Sequence, residues 1–161
     1  MRDYTLKEMA ERLDKIDGYD GLAIGVIYNQ LRNLQAKNAI VPITNERRGP
    51  AIKARSLVLF DDLGLAKARI HSKLTTLGIE ARLLRQIDEV IDNAKLQKAI
   101  DSPNKKFNLN LYFVCNKGAL GAMDYIGGID TSEKDLGLPD HCEVQIAMSL
   151  PLHSLLRGLF E

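Results

Sequence analysis

Residues 39–60 contain two apolar segments separated by a short basic turn. The first reads AIVPI, the turn reads NERRGP, and the second segment, IKARSLVLF, returns the chain. Apolar segments rich in β-branched residues on either side of a Gly-Pro turn are typical of a β-hairpin. The sequence therefore predicts a β-hairpin with a charged tip.

The region around this hairpin is strongly basic. Residues 32–55 contain six cations against one anion, Glu46. The cations are Arg32, Lys37, Arg47, Arg48, Lys53 and Arg55. Because the whole chain of 161 residues has a net charge of only +1, the positive potential is local and would attract phosphate groups over a short range. The alternative is an ordinary solvated hairpin tip.

Two amphipathic segments precede the hairpin. In the first, Thr5 and Glu8 have the spacing of a capping box, which predicts a helix over about 6–15. Thr5 is also a candidate phosphate contact, because the N-terminus of a helix favours anions. The second segment, about 22–37, has apolar residues at helical spacing, which predict the buried face of a helix. They are Ile24, Ile27, Leu31 and Leu34.

The ends of the second helix carry recognisable signals. Asp20 is expected to cap its start, and Asn38 suits the left-handed conformation that ends many helices. A third helix is predicted from Asp62 to about Leu77, ending at Gly78, and a fourth over about 80–100.

The C-terminal part of the sequence alternates between strand-like and irregular stretches. Residues 107–115 and 142–150 predict strands, and the glycine-rich residues 116–141 predict irregular structure. Residues 151–160 predict a short closing helix whose first turn contains Pro151.

These elements predict a mainly α chain with a small β content. Residues 1–78 are expected to form a winged helix-turn-helix domain, and residues 79–100 a connecting or dimerisation helix. Residues 107–161 are expected to form a small α+β region for dimerisation or sensing. The length suits a chain of this organisation, and 45% hydrophobic residues are enough for a buried core.

Enzyme signatures are not found in the sequence. It has neither a phosphate-binding P-loop nor a G-x-S-x-G elbow. Asp61 and Asp62 are explained by a helix start, where carboxylates are favourable. Cys115 and Cys142 are expected to be structural thiols in strands. We therefore expect no enzyme activity, no metal site and no cofactor.

Two further expectations concern location and the histidines. No apolar run approaches the 18 residues of a membrane span, and the charged N-terminal segment lacks the apolar core of a secretion signal. These features favour a cytoplasmic protein with no membrane association. His71 and His153 are expected at the surface or half-buried.

A helix followed at once by a basic hairpin is the plan of a winged helix-turn-helix. In that plan the second helix reads base edges in the major groove and the hairpin contacts phosphates. The candidate DNA-binding residues are Thr5, Tyr28, Asn29, Arg32, Arg47, Arg48, Lys53 and Arg55. Asn29 and Arg32 have the planar polar groups that pair with adenine and guanine. An ordinary exposed helix face would contain similar residues.

The sequence from Tyr4 to about Ile87 resembles the MerR-type transcription regulators. YTLKEMAERL is similar to the first helix of that family, and IYNQLRNLQAKNAIVP to its recognition helix and following turn. RRGPAIKARSLVLFDDLGLAKARIHSKLTTLGI is similar to the wing and the next helix, with Phe60 in place of a tyrosine. The resemblance implies a dimer that binds double-stranded DNA and, in many members, responds to an effector.

Three functions compete at the level of sequence. The first is a sequence-specific, homodimeric transcription regulator that binds double-stranded DNA, with a small-molecule or protein effector left open. The second is an architectural DNA-binding protein of a mobile element, such as an excisionase or a phage packaging subunit. The third is a ligand- or protein-interaction module that no longer binds DNA.

Overall fold

The computed structural model describes residues 2–16, 23–47, 56–79, 81–102, 104–116, 123–130 and 142–160. These residues form a mixed α/β structure with two separate antiparallel sheets. The chain divides into two compact units. Unit 1 combines Met1–Arg85 with Gly158–Glu161, and unit 2 is Gln86–Arg157. Within the described ranges, no helix is long and apolar enough to cross a lipid bilayer.

In its described residues, unit 1 consists of helices and one β-hairpin. In chain order they are α1 (Leu6–Asp14), α2 (Ile24–Ala36), β1 (Thr44–Arg47), β2 (Ser56–Leu59), α3 (Asp62–Thr76) and the first part of α4 (Ala81–Val90). β1 pairs antiparallel with β2, from Thr44 opposite Leu59 to Arg47 opposite Ser56. The predicted hairpin is therefore confirmed, although its first strand begins later than expected.

The predicted end of α2 is confirmed. Asn38 has a φ of 55°, in the left-handed region. Its N–H donates to the Gln35 carbonyl at 2.9 Å, and the Ala39 N–H donates to the Leu34 carbonyl at 2.9 Å. These two bonds are those of a Schellman motif, which satisfies carbonyls that the end of a helix would otherwise leave without partners.

The prediction that residues 39–43 form the first hairpin strand is wrong. Ala39 and Ile40 are buried directly after the helix cap. The His71 side chain donates from Nε2 to the Ala39 carbonyl at 3.1 Å. Only the first two residues of this segment therefore pack in the core, while Val41 and Ile43 are exposed. Pairing between the strands begins at Thr44.

α2 buries one face and begins later than predicted. Its buried residues, Ile27, Leu31 and Leu34, are those that the helical spacing predicts. Ile24 was predicted to be buried with them, but it is 44% exposed because the buried stripe begins one turn further along the helix. The predicted cap, Asp20, lies outside the described residues, and the observed N-cap is Ala23, which makes no side-chain capping bond.

α3 follows the predicted bounds. The Asp61 carboxylate accepts from the Gly64 N–H at 2.8 Å and begins the helix. Gly78, with a φ of 90°, ends it. The prediction that His71 is at the surface or half-buried is wrong, because this side chain is fully buried and hydrogen-bonds the segment after α2. His153 is half-buried, as expected.

The prediction of one helix over residues 80–100 is wrong. The chain breaks after Val90, and a second helix, α5 (Asn93–Asp101), begins two residues later. Asp92 causes the break, since its carboxylate accepts from the Ala94 N–H at 2.8 Å and from the Lys95 N–H at 3.2 Å. An aspartate at an N-cap starts a new helix more favourably than it continues an old one.

Unit 2 contains a three-stranded sheet. After α5, its elements are β3 (Asn108–Asn116), β4 (Met123–Asp130), β5 (Cys142–Pro151) and the single turn α6 (Leu152–Leu155). The order is β4-β3-β5, antiparallel throughout. β3 and β5 confirm the two predicted strands, which contain Cys115 and Cys142. β4 corrects the irregular structure predicted there, because pairing with the central strand overrides the poor strand propensity of its glycines.

The conformation of Asn38 gives a prediction about stability. Asn38→Ala is expected to lower the free energy of unfolding by about 1 kcal/mol, because a Cβ without a polar side chain is unfavourable in the left-handed region. Asn38→Gly is expected to equal or exceed the wild type. Urea unfolding of the three proteins measures this, and an alanine variant as stable as the glycine variant would contradict the cap.

Candidate nucleic-acid interface

The outward face of α2 contains three of the predicted contact residues. Tyr28, Asn29 and Arg32 are all exposed, with Tyr28 37% accessible. They are exposed because the residues facing the core lie on the opposite side of a helix with 3.6 residues per turn. The sequence between residues 21 and 45 has no acidic side chain. This face therefore presents amide, phenol and guanidinium groups without a competing carboxylate on its own helix.

The hairpin cations are placed only in part. The backbone of Arg47 belongs to β1 and lies opposite Ser56. Arg48, Lys53 and Arg55 lie outside the described residues, as does the side chain of Arg47. Their role as phosphate contacts therefore stays a prediction from the sequence.

Thr5 is the N-cap of α1, in the predicted capping box. The Glu8 N–H donates to its hydroxyl oxygen at 3.2 Å. In return, the Thr5 N–H and hydroxyl donate to the Glu8 carboxylate at 2.7 and 2.8 Å. These bonds lower the pKa of Glu8 below its ordinary value. The donors of Thr5 are thus already engaged by an anion, which would repel a phosphate at the same place.

Tyr4 ties the base of the hairpin to the start of α1. Its N–H donates to the Phe60 carbonyl at 2.7 Å, and the Phe60 N–H donates back to the Tyr4 carbonyl at 2.8 Å. The pair forms an isolated antiparallel bridge directly after β2. The Tyr4 hydroxyl also donates to the Asp62 carboxylate, at 2.8 Å, in the first turn of α3.

The sequence marks each end of this tie, although not the pairing between the two ends. Tyr4 and Phe60 each stand immediately before a helix N-cap, Thr5 and Asp61. An apolar residue at this position commonly packs back onto its helix and fixes the entry of the chain. Phe60 also explains Gly64, since a Cβ at Gly64 would lie only 3.1 Å from the Phe60 Cβ.

Arg12 reinforces this arrangement from α1. Its guanidinium lies 5.2 Å from the centre of the Tyr4 ring, within range of a cation–π contact. The same group donates to the Leu159 carbonyl at 2.8 Å. The C-terminal segment that belongs to unit 1 is thereby attached to α1.

An open cleft of about 570 Å³ lies beside α1. Its charged lining contains basic and acidic groups in equal number: Arg2, Arg12 and Lys15 with Asp3, Glu8 and Glu11. Because these charges balance, the cleft has no net attraction for a polyanion. The cation-bearing face of α2 is the better candidate for nucleic acid.

No protein-family model matches this chain, and no curated protein matches it. Its function therefore has to be inferred from the arrangement of its own residues.

The hydroxyl of Tyr4 gives a prediction about pH. Burial, the hydrogen bond to Asp62 and the charge of Asp62 raise the pKa of Tyr4 to about 12. Since the ordinary value is about 10, the stabilisation is complete below pH 10 and is lost as the pH rises through about 12. Tyr4→Phe is expected to lower the free energy of unfolding by about 1–2 kcal/mol at neutral pH.

Denaturant unfolding at a series of pH values measures this difference. The two proteins are expected to converge in stability above pH 10. A constant difference at all pH values, or none at neutral pH, would contradict the role assigned to the hydroxyl.

Proposed function

We propose that this chain is a sequence-specific DNA-binding protein of the winged helix-turn-helix type, and that it acts as a homodimeric transcription regulator. In this proposal α2 enters the major groove of double-stranded DNA, and the hairpin between β1 and β2 lies along the phosphate backbone. The sequence resemblance to MerR-type regulators points in the same direction.

The bridge between Tyr4 and Phe60 is the observation that carries the proposal. It attaches the base of the hairpin to the residue before the N-cap of α1, and α1 packs against α2. The hairpin and the helix with the exposed polar face are therefore parts of one packed unit. A helix that reads bases must be held in one orientation by the rest of its domain, because hydrogen bonds to base edges depend on the position of the helix in the groove.

The chemistry of α2 supports the same proposal. Asn29 can form two hydrogen bonds with adenine, and Arg32 can form two with guanine. Both side chains are exposed, while the opposite face of the helix is fixed in the core by Ile27 and Leu31. Thr5 is left out of the proposed interface because Glu8 already engages its hydroxyl.

The salt dependence of DNA binding tests the proposed function. We expect the protein to enrich a duplex from a random-sequence pool and to bind that duplex more weakly as salt rises. The logarithm of affinity should fall by about 0.9 per phosphate contacted for each tenfold rise in salt. Fluorescence anisotropy at several salt concentrations measures the slope. Failure to enrich any duplex would contradict the proposal.

Arginine variants separate base reading from backbone contact. Arg32→Ala is expected to relax the preference at one base pair, at a cost of about 1–3 kcal/mol for the preferred duplex. The double variant Arg47→Ala, Arg48→Ala is expected to weaken all duplexes alike and to reduce the salt slope by about two. Arg85→Ala removes an exposed arginine from α4 and is the matched control.

Competition assays against single-base variants of the enriched duplex distinguish these effects. Equal binding by the wild type and the double variant at moderate salt would show that Arg47 and Arg48 of the hairpin do not contact DNA phosphates. If Arg32→Ala lowers the affinity for all duplexes equally, without a change in base preference, Arg32 does not read a base.

A further inference from the structure

Gly25 lies on the outer surface of α2, where the described residues give no steric reason for a glycine. It is exposed, and a Cβ added there would meet no atom of the described residues within 4 Å. Gly25 is the second residue of α2. Glycine is a poorer helix former than alanine, and none of the described residues packs against this position in a way that requires it. Close approach of a ligand to the backbone is one of the uses of glycine.

Gly25 begins the line of residues that points furthest from the core. On a helix with 3.6 residues per turn, positions i, i+4, i+7 and i+11 lie on one face. From Gly25 these positions are Asn29, Arg32 and Ala36, and all are exposed. Asn29 and Arg32, the two candidate base-reading residues, therefore lie between Gly25 and Ala36 on the face that points away from the core.

Apolar side chains flank this line in the first turns of α2. Ile24 and Val26 are each 44% exposed, and Tyr28 is 37% exposed. Helical geometry places Ile24 and Tyr28 on one side of Gly25 and Val26 on the other. The beginning of the helix is thus apolar, and its polar groups follow further along.

The positive charge of this surface indicates which kind of partner would bind it. Arg32 and Lys37 are exposed cations of the same helix region, and residues 21–45 include no acidic side chain. A cationic face with an apolar beginning is complementary to the major groove of DNA, where phosphates flank the groove and thymine presents a methyl group. We take duplex DNA as the occupant for this reason.

We propose that the first turn of α2 reads thymine. Gly25 lets the helix approach the groove closely, and Ile24 and Val26 contact the C5-methyl groups of thymine bases. Arg32 lies seven residues beyond Gly25, which is about 10 Å along the helix and equals at most about three base-pair steps of the duplex. The preferred half-site therefore has thymine within about three base pairs of the guanine bound by Arg32. This inference rests on the proposed function.

Replacing thymine by deoxyuridine tests the inference, because the exchange removes only the methyl group. The probe is the duplex that the wild type enriches from a random pool, with deoxyuridine introduced at one thymine at a time. The wild type is expected to lose about fourfold in affinity at one or two thymines. The variant Ile24→Ala, Val26→Ala is expected to bind the original duplex more weakly and to lose nothing further at those thymines.

Gly25→Ala provides an independent measurement. The added methyl group is expected to weaken binding to the same duplex by about tenfold, since it holds the helix away from the groove. The melting temperature of the free protein should be no lower than that of the wild type, because alanine is the better helix former. Leu77→Ala is the matched control: it removes an apolar side chain that is 48% exposed at the end of α3, and should leave affinity and deoxyuridine sensitivity unchanged.

The possible failures are distinguishable. An enriched duplex that is insensitive to deoxyuridine, or a Gly25→Ala variant that binds like the wild type, would overturn the thymine reading and leave the proposed function in place. A change in the sedimentation of the free Gly25→Ala protein, without a change in DNA affinity, would show that a second copy covers this face. If no duplex is enriched, both the proposed function and this inference are wrong.

Discussion

The backbone bridge between Tyr4 and Phe60 is the interaction on which the arrangement of unit 1 depends. It joins two places that are far apart in sequence, the residue before the N-cap of α1 and the residue after β2. The Tyr4 hydroxyl extends the tie to the first turn of α3, and the Tyr4 ring receives the guanidinium of Arg12. Because Tyr4 is only 4% exposed, water competes little for its backbone bonds to Phe60.

The two faces of α2 show how the core determines which residues of a helix are exposed. Ile27, Leu31 and Leu34 fix which side of the helix is buried, so they also fix which side is free to meet a partner. The residues left outside differ along the helix, from small and apolar at its start to amide and guanidinium further on. In the proposed interface, the apolar residues at the start of α2 contact thymine methyl groups. The amide and guanidinium groups further along hydrogen-bond adenine and guanine.

Local signals in the sequence predicted local structure well. The capping box at Thr5, the left-handed cap at Asn38 and the buried stripe of α2 depend on residues within one or two turns of each other, so a single sequence reveals them. The strand predicted at residues 39–43 was wrong because the cap at Asn38 and the burial of Ala39 and Ile40 determine how this segment begins. The Tyr4–Phe60 bridge was missed because pairing between distant residues follows from topology, which periodicity does not encode.

The most direct test of the account is an NMR titration of the isotope-labelled protein with the duplex that it enriches. We predict that the amide signals of Gly25, Asn29 and Arg32 shift strongly, together with those of the β1–β2 hairpin, while the signals of α5 in unit 2 stay in place. Shifts confined to unit 2 or to the cleft beside α1, with the α2 signals unchanged, would contradict it.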